Sequence, residues 1–345
     1  MALISKKKIP YPVSHNLRSY LRKFGRQSRL PILYEDLIRY NSAIPLYDHS
    51  GKDTLWETVF YSQSEAEHLN QGLKKIYSML TADGDVSVIQ HLYIDRIDIC
   101  PFGNSKPFRI RVVNNMNDNF DYYYIKTADA SRVYGLELEH LISPNKIKYL
   151  VDHNTLIEEH IAGLPGDQFI KYYLSDPNLN TIRIAKEFVK FNERCFYRLL
   201  GDMHSSNFVV DITPDFEEVH YRIRAIDFDQ QSYEGRRSIY MPQYFKENNA
   251  IIELGMKLMT PESMAQYQLE ERSLMIHRIK SSRFKVKELI DSMVQDELST
   301  AGHIQSLKQE LAKYHEEPTF NNCQTMGEIV KLNLKMLVRK TIHEG

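Results

Sequence analysis

Cysteine is scarce in this sequence. Three of the 345 residues are cysteines, Cys100, Cys195 and Cys323, and no two of them form a C-x-x-C pair. A disulfide framework and a cysteine-based zinc site both need more cysteines at closer spacing, so the sequence excludes both. We therefore expect reduced thiols and a cytoplasmic protein.

The chain also lacks an excess of charge and long apolar runs. Its 44 basic residues nearly balance its 45 acidic ones, which excludes the basic character of a typical nucleic-acid binder. No stretch reaches 18 uncharged apolar residues, and the N-terminal "MALISKKKIPYPV" has no apolar run as long as that of a signal peptide. We expect neither a signal peptide nor a transmembrane segment, and no specific nucleic-acid partner.

Acidic residues are missing from the first 34 positions. This segment carries eight basic residues, namely Lys6, Lys7, Lys8, Arg18, Arg22, Lys23, Arg26 and Arg29. It fits an arm that contacts an anionic surface, and it also fits a solvated terminus, which is the commoner outcome for such runs. The sequence leaves both interpretations open.

The spacing of the apolar residues changes along the chain, and 345 residues with 42% hydrophobic content are enough for two domains. Residues 1–85 have helical and loop patterns, with a clear helix at 64–82. Residues 86–162 contain alternating, strand-like segments and one helical segment at 130–142, and residues 163–345 are mostly helical. The sequence predicts an α+β fold with an N-terminal helical extension (1–85), a β-rich lobe (86–162) and a helical lobe (163–345).

Two polar clusters, "DMHSSN" and "IDFD", bracket a predicted hairpin. The strands "NFVVDI" and "VHYRIRAI" flank the turn "TPDFEE", so Asp202 and Asn207 are expected to lie near Asp227 and Asp229. Carboxylate and amide oxygens suit Mg²⁺ bound with a phosphate. A carboxylate kept off the metal could accept a proton from a substrate hydroxyl. These groups are the ones that phosphoryl transfer requires.

The segments "LGDMHSSN" and "IDFD" resemble the catalytic loop and metal strand of the protein-kinase-like superfamily. The resemblance is to the small-molecule branch, the aminoglycoside phosphotransferases and choline kinases, whose motifs are H-G-D-x-x-x-x-N and I-D-F/W. It implies a bilobal fold, ATP and Mg²⁺ as cofactors, and phosphate transfer to a hydroxyl of a small molecule or glycan. It also implies that Asp202 is the base, that Asn207 and Asp227 complete the catalytic set as metal ligands, and that Asp229 is a third candidate ligand. Lipopolysaccharide core-sugar kinases have a similar I-D-F-D followed by basic residues, here Arg236 and Arg237.

The resemblance extends to the β-rich lobe. Lys126 ends the strand "FDYYYIK" and corresponds to the lysine that binds the nucleotide phosphates. Glu137, followed by a leucine four residues later, corresponds to the helix glutamate that orients this lysine, and Glu139 remains the alternative. In "TLIEEHIAGLPGDQF", the backbone carbonyl of Glu159 and the backbone N–H of Ile161 would contact the adenine.

The sequence departs from the family pattern in two places. Leu200 replaces the histidine that precedes Gly-Asp, and the link "CPFGNSKPF" has one glycine in place of G-x-G-x-x-G. No H-R-D, D-F-G or A-P-E motif occurs, which argues against a eukaryotic-type protein kinase. Two other hypotheses remain: an inert pseudokinase that acts as a nucleotide-binding scaffold, and a metallophosphoesterase suggested by the D-x-H of "GDMH".

Overall fold

The computed structural model describes residues 8–82, 84–216 and 219–344 and has a mixed α/β fold. The strands of the described chain are β1 Ser42–Tyr47, β2 Asp53–Phe60, β3 Leu92–Ile99, β4 Phe108–Asn114, β5 Phe120–Thr127, β6 Tyr149–Asp152, β7 Thr155–Glu159, β8 Leu164–Pro165, β9 Phe208–Pro214 and β10 Val219–Ala225. The α-helices are α1 His15–Lys23, α2 Tyr34–Leu37, α3 Gln63–Thr81, α4 Ala130–Ile142, α5 Gly166–Gln168, α6 Thr181–Arg198, α7 Asn249–Leu258, α8 Pro261–Ser281, α9 Arg283–Gln295, α10 Ala301–His315 and α11 Met326–Glu344. Among the described residues, no helix is long and apolar enough to cross a bilayer.

The chain divides into two compact units. The first, here called the sheet unit, comprises residues 18–129 and 147–160. Within it, a sheet has the strand order β1-β2-β3-β4-β5-β7-β6, and all neighbouring strands are antiparallel. The second, here called the helical unit, comprises residues 161–344, the segment 130–146 that contains α4, and the described N-terminal residues up to 17.

The core of the sheet unit lies between α3 and one face of its sheet. Alternate residues of the strands are buried on this face, for example Phe108, Ile110 and Val112 on β4, because successive side chains of a strand point to opposite faces. α3 contributes buried residues at helical spacing, among them Leu69 and Leu73. The opposite face of the sheet therefore carries the intervening polar and aromatic residues.

In the helical unit, α6 and a small antiparallel sheet lead into the segment with the polar clusters. α6 buries the apolar residues that recur at helical spacing along it, from Ile184 and Phe188 to Cys195. The sheet has the order β10-β9-β8, and β9 pairs with β10 in a regular register from Phe208↔Ala225 to Pro214↔Val219. The hairpin that the sequence predicted is confirmed, and α6 precedes its first strand, β9, in the chain.

The predicted N-terminal helical extension is wrong for residues 42–60. These residues form β1 and β2, and β2 joins the main sheet by pairing Glu57 with Ile99 and Thr58 with Asp98 on β3. The physical reason is the content of β-branched and aromatic residues in "DTLWETVF", which follows a turn and favours a strand. Conversely, residues 86–91, which were expected to start a strand, form a 3₁₀ helix.

The unit boundaries also differ from the predicted domains. α4 was expected in the β-rich lobe, but it packs with the helical unit, whereas residues 18–85 belong with the sheet. The sheet unit ends at His160, whereas the sequence predicted a boundary after residue 162. Of the predicted basic arm, Lys6 and Lys7 lie outside the described residues, and Lys8 lies 5.7 Å from the centre of the Tyr233 ring.

Candidate active site

The loop between α6 and β9, residues 199–207, is fixed by backbone hydrogen bonds. α6 ends at Leu199, whose φ of +55° turns the chain out of the helix. The carbonyl of Leu199 accepts the N–H of Ser232 at 2.8 Å, and the N–H of Gly201 donates to the carbonyl of Gln230 at 3.2 Å. The start of the loop therefore lies against the residues that follow "IDFD". Leu200, which stands where the resembled motif has a histidine, is fully buried there.

Close packing and an unusual backbone angle set the orientation of Asp202. A Cβ on Gly201 would lie 3.1 Å from both the carbonyl oxygen of Gln230 and Cγ2 of Ile239, so a side chain fits poorly there. Asp202 itself has φ +63° and donates its N–H to the carbonyl of Ile239 at 3.1 Å. Positive φ is uncommon outside glycine, and residues held in such conformations concentrate at functional sites.

The two polar clusters meet at the open end of the β9–β10 hairpin. Nδ2 of Asn207 donates to the carbonyl of Asp202 at 2.8 Å and lies 3.5 Å from Oδ2 of the same residue. The carbonyl of Asn207 accepts the N–H of Ile226 at 3.0 Å, one residue before Asp227. Asp202, Asn207 and Asp227 are therefore brought together, as the sequence predicted from the hairpin.

His204 organises the middle of the loop. Its Nδ1 accepts the N–H of Ser206 at 3.4 Å and so caps the 3₁₀ turn Ser205–Asn207. Its Nε2 lies 3.9 Å from Oδ1 of Asp202, beyond hydrogen-bonding distance. These contacts assign His204 a structural role in the loop.

Both carboxylates of "IDFD" bind one arginine that the sequence analysis did not identify. Arg132, in the first turn of α4, donates from Nε to Oδ1 of Asp229 at 2.7 Å and from Nη2 to Oδ1 of Asp227 at 2.8 Å. Arg132 and Asp229 are buried, whereas about a third of the Asp227 side chain, 34%, is exposed. Asp227 is therefore the more accessible of the two carboxylates.

Negative charge accumulates around Asp202. Burial, followed by the nearby carboxylates of Asp227, Glu234, Glu247 and Asp229, raises the pKa of Asp202 to about 7. Burial also raises the pKa of Glu234. The carboxyl group of Asp202 thus changes protonation near neutral pH, which suits a general base.

The raised pKa predicts a pH-dependent stability difference between the wild type and Asp202→Asn. The folded pKa is above the unfolded one, so the contribution of Asp202 to stability is complete below about pH 4 and is lost as the pH rises through about 7. Relative to Asp202→Asn, the wild type should lose about 1–3 kcal/mol of unfolding free energy between pH 5 and pH 8. Urea unfolding of both proteins at pH 5 and pH 8 measures this loss. If the two proteins differed in unfolding free energy by the same amount at both pH values, the raised pKa would be contradicted.

The site has donors that fit a magnesium ion. Because Nδ2 of Asn207 is bound to Asp202, its Oδ1 is the atom left to act as a ligand. Asp227 adds a partly exposed carboxylate, and a divalent cation would offset the charge that raises the pKa of Asp202. Within the described ranges, no group of three or more His, Cys, Asp or Glu side chains could hold a metal ion. A magnesium site built from one amide and one carboxylate, completed by phosphate and water, does not require such a group.

Lys126 has an ion-pair partner that the sequence analysis did not name. On β5 of the sheet unit, its Nζ lies 2.5 Å from Oε2 of Glu158 on the neighbouring strand β7, and both side chains are buried. Glu139, the alternative partner, is bound instead by Arg198, Ser143 and Asn145 within the helical unit. Burial opposes ionisation of Glu139, but these partners lower its pKa below the ordinary value.

The other predicted cofactor-binding residues lie on α4 and around the end of β7. Glu137 is buried on α4. Glu159 ends β7, where its N–H donates to the carbonyl of Lys148 at 3.1 Å and its Oε1 accepts the N–H of Lys148. Ile161, two residues further on, is buried. Strand pairing therefore fixes Glu159, and Ile161 begins the helical unit.

The buried Lys126–Glu158 pair predicts a stability effect that is independent of any ligand. Lys126→Met should lower the unfolding free energy by about 3–5 kcal/mol because it leaves the Glu158 carboxylate buried without this cation. Lys126→Met/Glu158→Gln should recover much of that loss, since no uncompensated charge remains. Urea denaturation gives the unfolding free energy of both variants. A double variant as unstable as Lys126→Met would show that the broken ion pair is not the cause of the lost stability.

Arg132 and Glu158 are the residues that sequence reasoning missed. Arg132 lies within a helix and Glu158 within a strand, and the residues next to them in the sequence do not mark either one as functional. Their partners, Asp227 and Lys126, are 95 and 32 positions away in the chain. A pattern search could find Arg132 by asking which cation balances the second aspartate of I-D-F-D.

No protein-family model matches this chain, and no curated protein matches its sequence.

Proposed function

We propose that the protein is an ATP- and Mg²⁺-dependent phosphotransferase whose acceptor is a hydroxyl group of a small molecule or glycan. The observation that carries this proposal is the convergence of Asp202, Asn207 and Asp227 at the open end of the β9–β10 hairpin. A base, an amide ligand and a carboxylate ligand in one place are the minimum for phosphoryl transfer. The proposal includes the bilobal protein-kinase-like fold that the motifs resemble.

Each residue of the helical-unit site has a distinct task in the proposed reaction. Asn207 and Asp227 would hold the metal, which on binding would neutralise and orient the phosphate oxygens. Asp202 would accept the proton of the acceptor hydroxyl as the oxygen attacks the γ-phosphate. Its pKa of about 7 allows it to be deprotonated before the reaction and to hold the proton afterwards.

The order of elements in the sheet unit supports a nucleotide-binding role for Lys126. Lys126 lies on the third strand of the antiparallel run β3-β4-β5, and α4 follows directly in the chain. This is the order that the resemblance requires of the phosphate-binding lysine and its helix. By the same resemblance, Glu137 would orient Lys126, and the backbone of Glu159 and Ile161 would contact the adenine.

An inert nucleotide-binding scaffold is the second candidate. The observation that favours it is the occupation of two functional positions by ion pairs, Arg132 with Asp227 and Lys126 with Glu158. ATP binding without any transfer would favour this candidate. A metallophosphoesterase is the third, and it would be favoured by phosphatase activity with Mn²⁺ or Fe²⁺ in the absence of nucleotide.

The direct test is a screen for acceptors. The wild type is incubated with γ-labelled ATP and Mg²⁺ against amino sugars, monosaccharides, oligosaccharides and amino alcohols, with Asp202→Asn in parallel. We expect acceptor-dependent release of ADP and a labelled product with the wild type alone. Equal label transfer by both proteins would contradict the assignment of the base. ATP binding by the wild type without turnover on any acceptor would favour the scaffold.

A further inference from the structure

Arg132 has no role in the site as the motifs define it, yet it is one of the most buried cations of the helical unit. It lies in the first turn of α4, as the third residue of the helix. The amino-terminal end of a helix carries partial positive charge, so a cation there is unfavourable unless other groups compensate. The compensation comes from the carboxylates of Asp227 and Asp229.

The contacts of Arg132 fix the orientation of Asp227 through one oxygen. Nη2 of Arg132 and the backbone N–H of Asp229 both donate to Oδ1 of Asp227, at 2.8 Å and 2.9 Å. The planar guanidinium keeps its charge at all relevant pH values and holds two acceptors in a fixed relative geometry.

A glycine keeps α4 close to this segment. Gly135 is three residues after Arg132, on the same side of the helix. A Cβ there would lie 3.0 Å from Cβ of Phe228 and 3.1 Å from Cβ of Gln231. α4 and residues 227–231 are thus in direct contact, and this contact places the guanidinium between the two aspartates.

We propose that Arg132 and Asp229 form a positioning pair for the metal-binding carboxylate of Asp227, and that Asp229 is not itself a metal ligand. The inference rests on the proposed function and deepens it. Asp229 is nearly buried and orients the guanidinium. Arg132 in turn orients Asp227 and balances one of the two negative charges of "IDFD". Groups that orient a metal ligand in this way contribute about 10–100-fold to metal affinity or activity.

The kinetic test compares Arg132→Met, Arg132→Lys, Asp229→Asn and the double variant Arg132→Met/Asp229→Asn. We expect each single variant to raise the Mg²⁺ concentration for half-maximal ATP turnover by about 10–100-fold, with the smallest change in Arg132→Lys, which keeps the charge. Because the two residues act as a unit, the double variant should be no worse than Arg132→Met. A further tenfold loss in the double variant would make Asp229 a direct ligand and would overturn the proposal.

A matched control separates positioning from stability. Arg272 is another buried arginine of the helical unit, and its Nε donates to Oε2 of Glu193 at 2.6 Å. Arg272→Met should lower the urea midpoint as Arg132→Met does, but should leave the Mg²⁺ requirement unchanged. If both variants change the Mg²⁺ requirement equally, Arg132 has no specific positioning role.

A second readout needs neither metal nor nucleotide. In urea unfolding without ligands, the midpoint of the double variant should lie above the value expected from adding the two single shifts, because the pair is removed together. Additive shifts, or a lower Mg²⁺ requirement in Arg132→Met, would overturn the positioning pair. If instead the wild type turns over no ATP with any acceptor while the unfolding shifts are coupled, Arg132 and Asp229 still form a pair and the proposed function fails.

Discussion

Replacing Asp227 with asparagine is expected to abolish the Mg²⁺-dependent stabilisation of the protein by ATP. Asp227 is the accessible carboxylate of the site, and the amide that replaces it brings no negative charge to the metal. For the wild type, ATP at 100 times its dissociation constant should add about 2.7 kcal/mol to the unfolding free energy. Thermal denaturation with ATP, with and without Mg²⁺, measures this increment in both proteins.

Asp211→Asn is a suitable control for Asp227→Asn. Asp211 is a half-buried carboxylate on β9 of the same hairpin, where its Oδ1 accepts the hydroxyl of Thr213 at 3.3 Å. This variant should keep the full Mg²⁺-dependent increment. If Asp227→Asn kept the increment as well, Asp227 would not be a metal ligand.

Replacing Asp202 with asparagine is expected to remove turnover and to preserve nucleotide binding. An amide of nearly the same shape retains the loop geometry, but it cannot accept the proton of the acceptor hydroxyl. General base catalysis contributes about 10²–10⁴-fold, so the rate of acceptor phosphorylation should fall by that factor. The measurement is kcat for acceptor phosphorylation, together with the dissociation constant of Mg²⁺ and ATP from calorimetry.

The pH dependence of the wild-type rate provides the internal check on this role. With the pKa of Asp202 at about 7 in the free protein, the rate should increase as the pH rises through neutrality. Bound Mg²⁺ would move the inflection to lower pH, since it offsets the negative charge of the site. A rate in Asp202→Asn within threefold of the wild type, at any pH from 6 to 8, would exclude Asp202 as the base.

The elements around the candidate site were the ones that the sequence predicted well. The pattern of "TIRIAKEFVKFNERCFYRLL" gives one apolar side, which α6 buries from Ile184 to Cys195, and residues 191–198 are buried on the other sides as well. The alternation on both sides of "TPDFEE" gives the β9–β10 hairpin, whose register follows from the short turn. The convergence of Asp202, Asn207 and Asp227 was predictable because a hairpin necessarily brings its two ends together.

The remaining errors have two physical origins, which are weak apolar alternation and contacts between distant parts of the chain. β1 and β2 lie at the edge of the main sheet, and their apolar alternation is weak because much of their surface is exposed. α4 belongs to the helical unit, where it packs against α8 and α9, and no local periodicity indicates such contacts. Likewise, the partners of Lys126 and Asp227 were set by tertiary packing, which a single sequence does not encode in its spacing.

The missed contact with Arg132 changes the candidate role of one residue of "IDFD", whereas the predicted position of the segment next to Asp202 and Asn207 is retained. Asp229 was one of three candidate metal ligands, and its contact with Arg132 now gives it a different candidate role. Asp227 keeps its candidate role as a ligand, because about a third of its side chain, 34%, is exposed. Asn207 also keeps its role, since its Nδ2 is bound within the loop.

An experimental structure of the protein with Mg²⁺ and a non-hydrolysable ATP analogue tests the central claim most directly. The predicted result is a metal ion about 2.0–2.1 Å from Oδ1 of Asn207 and from a carboxylate oxygen of Asp227. The carboxylate of Asp202 should lie off the metal, and Asp229 should remain bound to Arg132. A nucleotide bound without metal contacts to Asn207 and Asp227, or no bound nucleotide at saturating concentration, would contradict it.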